Sequence, residues 1–272
     1  MRAGAIHYEV NGTGVPVVFI HGLGGTSNIW FAQREALSSH FRVIVYDRSG
    51  CGLSDRRSGG YSIEGWADEL AALLDEVEVE ASIVVGHSLG SMVAQRFAAK
   101  YPERTRALVL VGGEAALSPE GRDILTGRAD VIEERGLSAV VDSWLDSVLA
   151  PSTRVANPAV AGLLRAMFLA NDAHTYVEQA MVLRDADVRP RLVDIACPTL
   201  LLVGDQDPVT PLAWQQAIAA DIPGSEVRVI SGAAHMPMLE SVQEFDAALV
   251  EFLGGLGVLA QGDHDERAHL SG

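Results

Sequence analysis

Two cysteines, Cys51 and Cys197, are all that this 272-residue chain contains, too few for a disulfide framework. Basic residues are scarce as well: Lys+Arg 20 against Asp+Glu 36 leave a formal net charge of −16. Such a field repels phosphate backbones and anionic bilayers, so neither nucleic acid nor a membrane surface is an expected partner. Long apolar runs are missing too, because charge, Gly or Pro interrupts every stretch well before the roughly 18 residues that a spanning helix needs. Met1–Val10 lacks the basic start and apolar run of a secretory leader, which gives the expectation of a cytoplasmic protein. No His pair has the i, i+4 spacing of a zinc helix, His264 and His269 included, so neither a metal nor a cofactor is expected.

What is present is an ordinary globular composition, 48% hydrophobic and 21% charged, in a chain long enough for one large core with an insertion. Val- and Ile-rich runs recur at Val15–Ile20, Arg42–Tyr46, Ser82–Val85, Ala107–Val111, Thr199–Val203 and Val227–Ile230, and they read as buried strands. Amphipathic segments such as Ile63–Leu74 and Ser91–Tyr101 alternate with them. That rhythm predicts an α/β fold with a mostly parallel central sheet flanked by helices. Between Gly113 and Arg191 the rhythm breaks into consecutive helices, at Gly121–Arg135, Leu137–Leu149, Pro158–Asn171 and Ala173–Arg184. The expected organisation is a core of residues 1–112 and 192–254, a helical lid at 113–191, and a flexible tail at 255–272. Asn11-Gly12-Thr13-Gly14 reads as the hairpin turn that joins the first two strands.

Gly86-His87-Ser88-Leu89-Gly90 fits G-x-S-x-G and stands between the strand Ile83-Val84-Val85 and the helical Met92–Ala99. In that context the pattern is a nucleophile elbow: Ser88 sits on a sharp, strained turn, and the flanking glycines allow the close packing that the turn demands. A serine hydroxyl needs a base within reach and a third group to orient the base. Asp207 follows the strand at Leu200–Val203, and His235 follows the strand ending at Ile230, in the order serine, acid, histidine. Asp205 competes with Asp207 but reads as a turn residue bonding loop amides. Glu114, just past the strand Ala107–Val111, is a weaker alternative acid. The Gly-rich turn His21-Gly22-Leu23-Gly24-Gly25 supplies the other half of the site, so the amides of Leu23 and Leu89 are the predicted oxyanion donors.

The His21-Gly22 turn, Tyr46-Asp47-Arg48-Ser49-Gly50-Cys51-Gly52-Leu53-Ser54-Asp55, the Ser88 elbow, Asp207 and Gly232-Ala233-Ala234-His235-Met236-Pro237 together make the chain resemble the α/β-hydrolase superfamily over nearly its whole length. Within it, Trp144, Asn157-Pro158, Tyr176 and Ala186-Asp187 ahead of Cys197-Pro198-Thr199 look most like the 3-oxoadipate enol-lactonase group. The resemblance implies a serine hydrolase acting through an acyl-enzyme on a small-molecule ester or lactone, with Trp144 lining the substrate pocket. Gly22 and Tyr176 are further candidates for substrate contact, and Met167 and Phe168 for the pocket wall; packing within the lid is the alternative for each aromatic. Arg128, Arg165 and Arg184 are candidate local positive charges near an anionic substrate.

Two departures weaken any transfer of substrate identity. Ser49-Gly50-Cys51-Gly52 stands where Arg-Gly-His-Gly is commoner, with Cys51 placed to approach the pocket, and Gly90-Ser91 replaces a Gly-Gly pair. The scaffold also hosts carbon–carbon bond hydrolases, haloperoxidase-like proteins and ligand-binding proteins. Met236 stands where the carbon–carbon enzymes carry a Trp after the histidine.

Overall fold

The computed structural model describes residues 5–57 and 60–257. The chain runs β1 (Tyr8–Asn11), β2 (Val15–Ile20), α1 (Phe31–Leu37), β3 (Phe41–Tyr46), α2 (Ile63–Glu76), β4 (Ser82–His87), α3 (Leu89–Lys100) and β5 (Thr105–Val111). Five helices follow without a strand among them: α4 (Pro119–Arg135), α5 (Val141–Val148), α6 (Pro151–Ala156), α7 (Pro158–Leu169) and α8 (Ala173–Asp185). The sheet then resumes with β6 (Thr199–Gly204), α9 (Leu212–Asp221), β7 (Glu226–Ile230), α10 (Pro237–Glu240) and α11 (Val242–Gly255). Of the predicted tail, residues 258–272 lie outside the described residues, as do His264 and His269.

One sheet orders the strands β1-β3-β2-β4-β5-β6-β7, and every pairing is parallel except that of β1 with β3. Central strands β4 and β6 are buried at every residue, which is why they read as unbroken apolar runs instead of alternating ones. The predicted hairpin at Asn11–Gly14 is corrected here: β1 pairs with β3, and β2 lies on the other side of β3. The turn therefore carries the chain across the end of β3. Gly12 and Gly14 take positive φ there, and a Cβ on Gly12 would stand 2.1 Å from the Ser38 carbonyl oxygen. A crossover and a hairpin make the same demand for glycine, so the residues alone do not distinguish them.

The helical insertion between β5 and β6 covers the carboxyl ends of the strands. One isolated antiparallel bridge, Ala116 to Asp187, closes its two ends beside the sheet. No described helix is long and apolar enough to cross a membrane.

Candidate functional site

Strand β4 drives straight into α3, and Ser88 is the hinge, with φ 51° and ψ −124°. That is a left-handed φ on a side-chain-bearing residue, a conformation held only where the surroundings over-determine it. They do so through glycine. A Cβ on Gly86 would lie 2.3 Å from the Gly90 carbonyl oxygen, and one on Gly90 would lie 2.5 Å from that of Ile20. The elbow, the following helix and strand β2 thus approach more closely than alanine permits, and Ser88 is lifted to the floor of the cavity below the helical insertion.

On the loop after β7, His235 donates Nδ1–H to Asp207 Oδ2 at 2.9 Å. Asp207 is held in turn by the loop after β6. Its Oδ1 accepts the amides of Val209 (2.8 Å) and Thr210 (3.0 Å), and its Oδ2 accepts the Thr210 hydroxyl (2.7 Å). The sequence expectation gave loop-amide bonding to Asp205; in the structure Asp207 does it, and Asp205 is exposed. Burial acts to raise the Asp207 pKa, but the His235 charge and the hydrogen bonds from His235 and Thr210 outweigh it and hold the carboxyl well below the usual range. For His235, burial disfavours the charge, and the opposing pull of Asp207 and Glu114 leaves its pKa raised. The structure records no hydrogen bond between Ser88 Oγ and His235 Nε2, although both residues line the same cavity.

The opposite wall is the turn after β2. Among the described residues the amide of Leu23 donates to nothing, and Leu89, first in its helix, has no acceptor within it. Leu23 lines the cavity. Gly22 does not reach the wall of this cavity: a Cβ there would meet His87 and Ser88 at 3.0 Å, so its role is to let the turn approach the elbow. His87, the residue before the serine, is neutral, its pKa pushed down to about 3 by burial and by His235. Its Nε2–H donates to the His235 carbonyl at 2.9 Å.

The cavity measures about 360 Å³. Its floor holds Ser88 and His235, and its roof is built from α4, α5 and α8. Trp144 and Tyr176 both line it, so each fits the substrate-contact expectation, and each also packs on Phe168 behind the wall, with ring centroids at 4.5 and 5.2 Å. Phe168 itself is fully buried and does not reach the cavity, and Met167 faces only a small neighbouring void. The Tyr176 hydroxyl is buried without a partner among the described residues, with Arg128 nearby on the same wall. Arg165 and Arg184 point elsewhere, paired with Asp142 and Asp185. Cys51 is buried against Gln179 and does not reach the cavity.

Glu114 is the residue that sequence reasoning underweighted. Its backbone is pinned to α3 by Ser91 Oγ (3.0 Å) and Gln95 Nε2 (2.7 Å), and its carboxyl faces the cavity near Ser88 with Oε2 unpartnered. Burial raises its pKa to about 7, against the opposing pull of His235. Glu240 was not foreseen at all. Its Oε1 accepts the amides of Ala234 and Met236 beside the histidine, while its Oε2 accepts the Ala150 amide and the Thr153 hydroxyl of the insertion. Among the described residues no group of three or more His, Cys, Asp or Glu is placed to hold a metal.

The chain has relatives of similar sequence and fold. "Putative carbamate hydrolase RutD" of Azorhizobium caulinodans is 30% identical over 251 residues, spanning 92% of this chain and 95% of that protein. "3-oxoadipate enol-lactonase 2" of Acinetobacter baylyi is 30% identical over 233 residues, 86% of each. Among solved structures, a thermophilic esterase from Thermogutta terrifontis superposes with a TM-score of 0.87 at 31% identity, covering 93% of this chain and 94% of that one. The family profile described as the alpha/beta hydrolase fold matches residues 15–242, and the chain belongs to that family.

Proposed function

We propose that the protein hydrolyses a small carboxylic ester or lactone through an acyl-enzyme on Ser88. The observation that carries this reading is the Asp207–His235 pair at 2.9 Å, sharing one cavity with a serine on a strained elbow. In the acylation step Ser88 Oγ bonds to the substrate carbonyl carbon while its proton passes to His235 Nε2. The carbonyl oxygen takes the negative charge and is met by the amides of Leu23 and Leu89. As the carbon–oxygen bond to the leaving group breaks, His235 returns the proton to that oxygen. Water, deprotonated by the same histidine, then releases the acid from the serine. Asp207 keeps Nδ1 protonated and stabilises the imidazolium throughout.

The insertion over residues 113–191 serves as the lid of this site. Its apolar wall, broken by Arg128 and the Tyr176 hydroxyl, suits a compact acyl group with a polar end. The relatives named as enol-lactonase and esterase support oxygen esters, and the carbamate hydrolase name makes a carbamate the natural rival. Met236 after the histidine disfavours carbon–carbon cleavage.

The test compares wild type with Ser88→Ala on short aryl esters, lactones with and without a carboxylate, and carbamates, with circular dichroism as the folding control. The variant is expected to lose about 10⁴-fold or more in kcat on every substrate that wild type turns over. Comparable turnover by both proteins overturns the assignment of Ser88.

A further inference from the structure

We propose that Arg48 and Gln179 are positioning residues that aim the Leu23 amide at the developing oxyanion and tie that amide to lid helix α8. The inference rests on the serine-hydrolase reading above and deepens it, because neither residue touches the cavity.

Arg48 is fully buried, and among the described residues no carboxylate oxygen lies within salt-bridge distance of it. A buried guanidinium without a counter-ion is costly unless its donors are satisfied. Two of its three nitrogens find their acceptors in the oxyanion turn. Nε donates to the His21 carbonyl at 3.2 Å, Nη2 to the Gly22 carbonyl at 3.1 Å, and Nη1 to Gln179 Oε1 at 3.4 Å, while the guanidinium lies 4.5 Å from the Trp66 ring centroid. The backbone amide of Arg48 donates to His21 Nε2 at 3.0 Å. Since that nitrogen accepts, the imidazole proton sits on Nδ1, which the Gly22 carbonyl accepts at 2.9 Å. Burial, and then the charge of Arg48, push the His21 pKa down to about 3, so the ring is neutral at pH 7.

The Gly22 carbonyl therefore receives three donors: Arg48 Nη2, His21 Nδ1 and the Gly25 amide at 3.3 Å. A trans peptide is planar, with C=O and N–H pointing in opposite directions. Fixing the Gly22 oxygen on the Arg48 side fixes the Leu23 N–H on the other side, where it has no partner among the described residues. The cation behind the carbonyl also polarises the peptide so that its positive end faces the reaction. At the far end of the same turn, Asp47 Oδ1 accepts the Ser27 amide at 2.7 Å, so consecutive residues after β3 hold both ends.

Gln179 brings in the lid. It comes from α8, is buried, accepts from Arg48 Nη1 and from Cys51 Sγ (3.3 Å), and donates Nε2–H to the Ser49 carbonyl at 3.2 Å. Gly50, with φ +85°, lets the loop come under α8, since a Cβ there would stand 2.7 Å from Gln179 Nε2. The chain of contacts runs from α8 through Gln179 and Arg48 to the Gly22–Leu23 peptide. A lid displaced at α8 removes an acceptor from the guanidinium that sets the oxyanion donor.

The experiment uses the full chain and the variants Arg48→Lys, which keeps charge but loses the planar fork, and Gln179→Met, which keeps size. The readouts are p-nitrophenyl butyrate kinetics, inhibition by an aryl trifluoromethyl ketone, whose serine adduct carries an oxyanion, and inhibition by 1-butanol, which is neutral and forms no adduct. For R48K, kcat is expected to fall about 10- to 100-fold, ketone affinity to fall in parallel, and KM and 1-butanol affinity to stay within about threefold. Q179M shifts the same quantities in the same direction by less. A purely structural role lowers the melting temperature but leaves ketone affinity in place; kcat and ketone affinity within about twofold of wild type in both folded variants overturn the proposal. Should R48K fail to fold, Q179M alone decides by the same criterion. Wild type that neither hydrolyses esters nor is labelled at Ser88 by a fluorophosphonate overturns the serine-hydrolase reading and this one with it; an active wild type with insensitive variants overturns this one alone.

Discussion

The floor and the roof of the cavity obey different rules. In the floor the backbone is packed against backbone: an added Cβ would lie 2.3 Å from a carbonyl oxygen at Gly86, 2.5 Å at Gly90 and 2.2 Å at Gly204. In the roof, Gly127 and Gly162 face open space and a Cβ would meet nothing within 4 Å. Floor groups are positioned by short hydrogen bonds with one solution each, as at Asp207. Roof groups are positioned by side-chain packing, such as Trp144 on Phe168, which admits many solutions of similar volume. A fold divided this way keeps its chemistry fixed while its selectivity drifts.

The contrast is sharpest under substitution of glycine in the floor. Gly90→Ala should cost about 3 kcal/mol or more in urea unfolding, because the clash is with the backbone of β2, which has nowhere to move. A cost under about 1 kcal/mol would show that the floor is no more constrained than the roof.

Glu114, at the seam between the two, is expected to show a pH-dependent effect. Its folded-state pKa is raised by burial from 4.5 to about 7, so the folded protein holds the proton more tightly than the unfolded chain does. The stability that this proton contributes is fully present below the unfolded value and is lost as pH rises through about 7. Glu114→Gln removes that loss. Its stabilisation relative to wild type should therefore be near zero at pH 4 and reach about 1–3 kcal/mol at pH 8, read from paired thermal melts. A stabilisation independent of pH would place the carboxyl in water and not in the cavity wall.

The smallest effect belongs to the roof. Gly127→Ala, inside exposed helix α4, should raise stability by about 0.5–1 kcal/mol, since only the backbone entropy of the unfolded chain changes. Destabilisation there would mean that α4 is packed as tightly as the floor.

What the sequence made legible follows the same division. The strands were readable because a buried parallel strand must be apolar throughout, and Ser88, Asp207 and His235 because each follows a strand in a fixed order. The partner of β1 was not, because pairing is a property of topology and the Gly12 turn serves a crossover as well as a hairpin. Thr210 lies three residues after Asp207, a spacing at which a hydroxyl and a carboxylate commonly meet in a turn, so its contact was within reach of turn chemistry. Arg48 and Gln179 were out of reach, since their partners lie far away in sequence, and so was the tie from Glu240 to Ala150 and Thr153. Helix faces were ambiguous for another reason: Trp144 and Phe168 are both apolar and both buried, and only the fold decides which of them sees the cavity.

Glu240 fastens one end of the roof to the floor. One carboxylate fastens the histidine loop and the α5–α6 junction together, and the His235 amide also donates to the Val148 carbonyl at 3.1 Å. Lifting the roof at that end would pull the base away from its acid. A roof that opened would be held at that end. Substrate would then pass at the edge of α4, where Glu120 and Ile124 line the cavity and stand exposed.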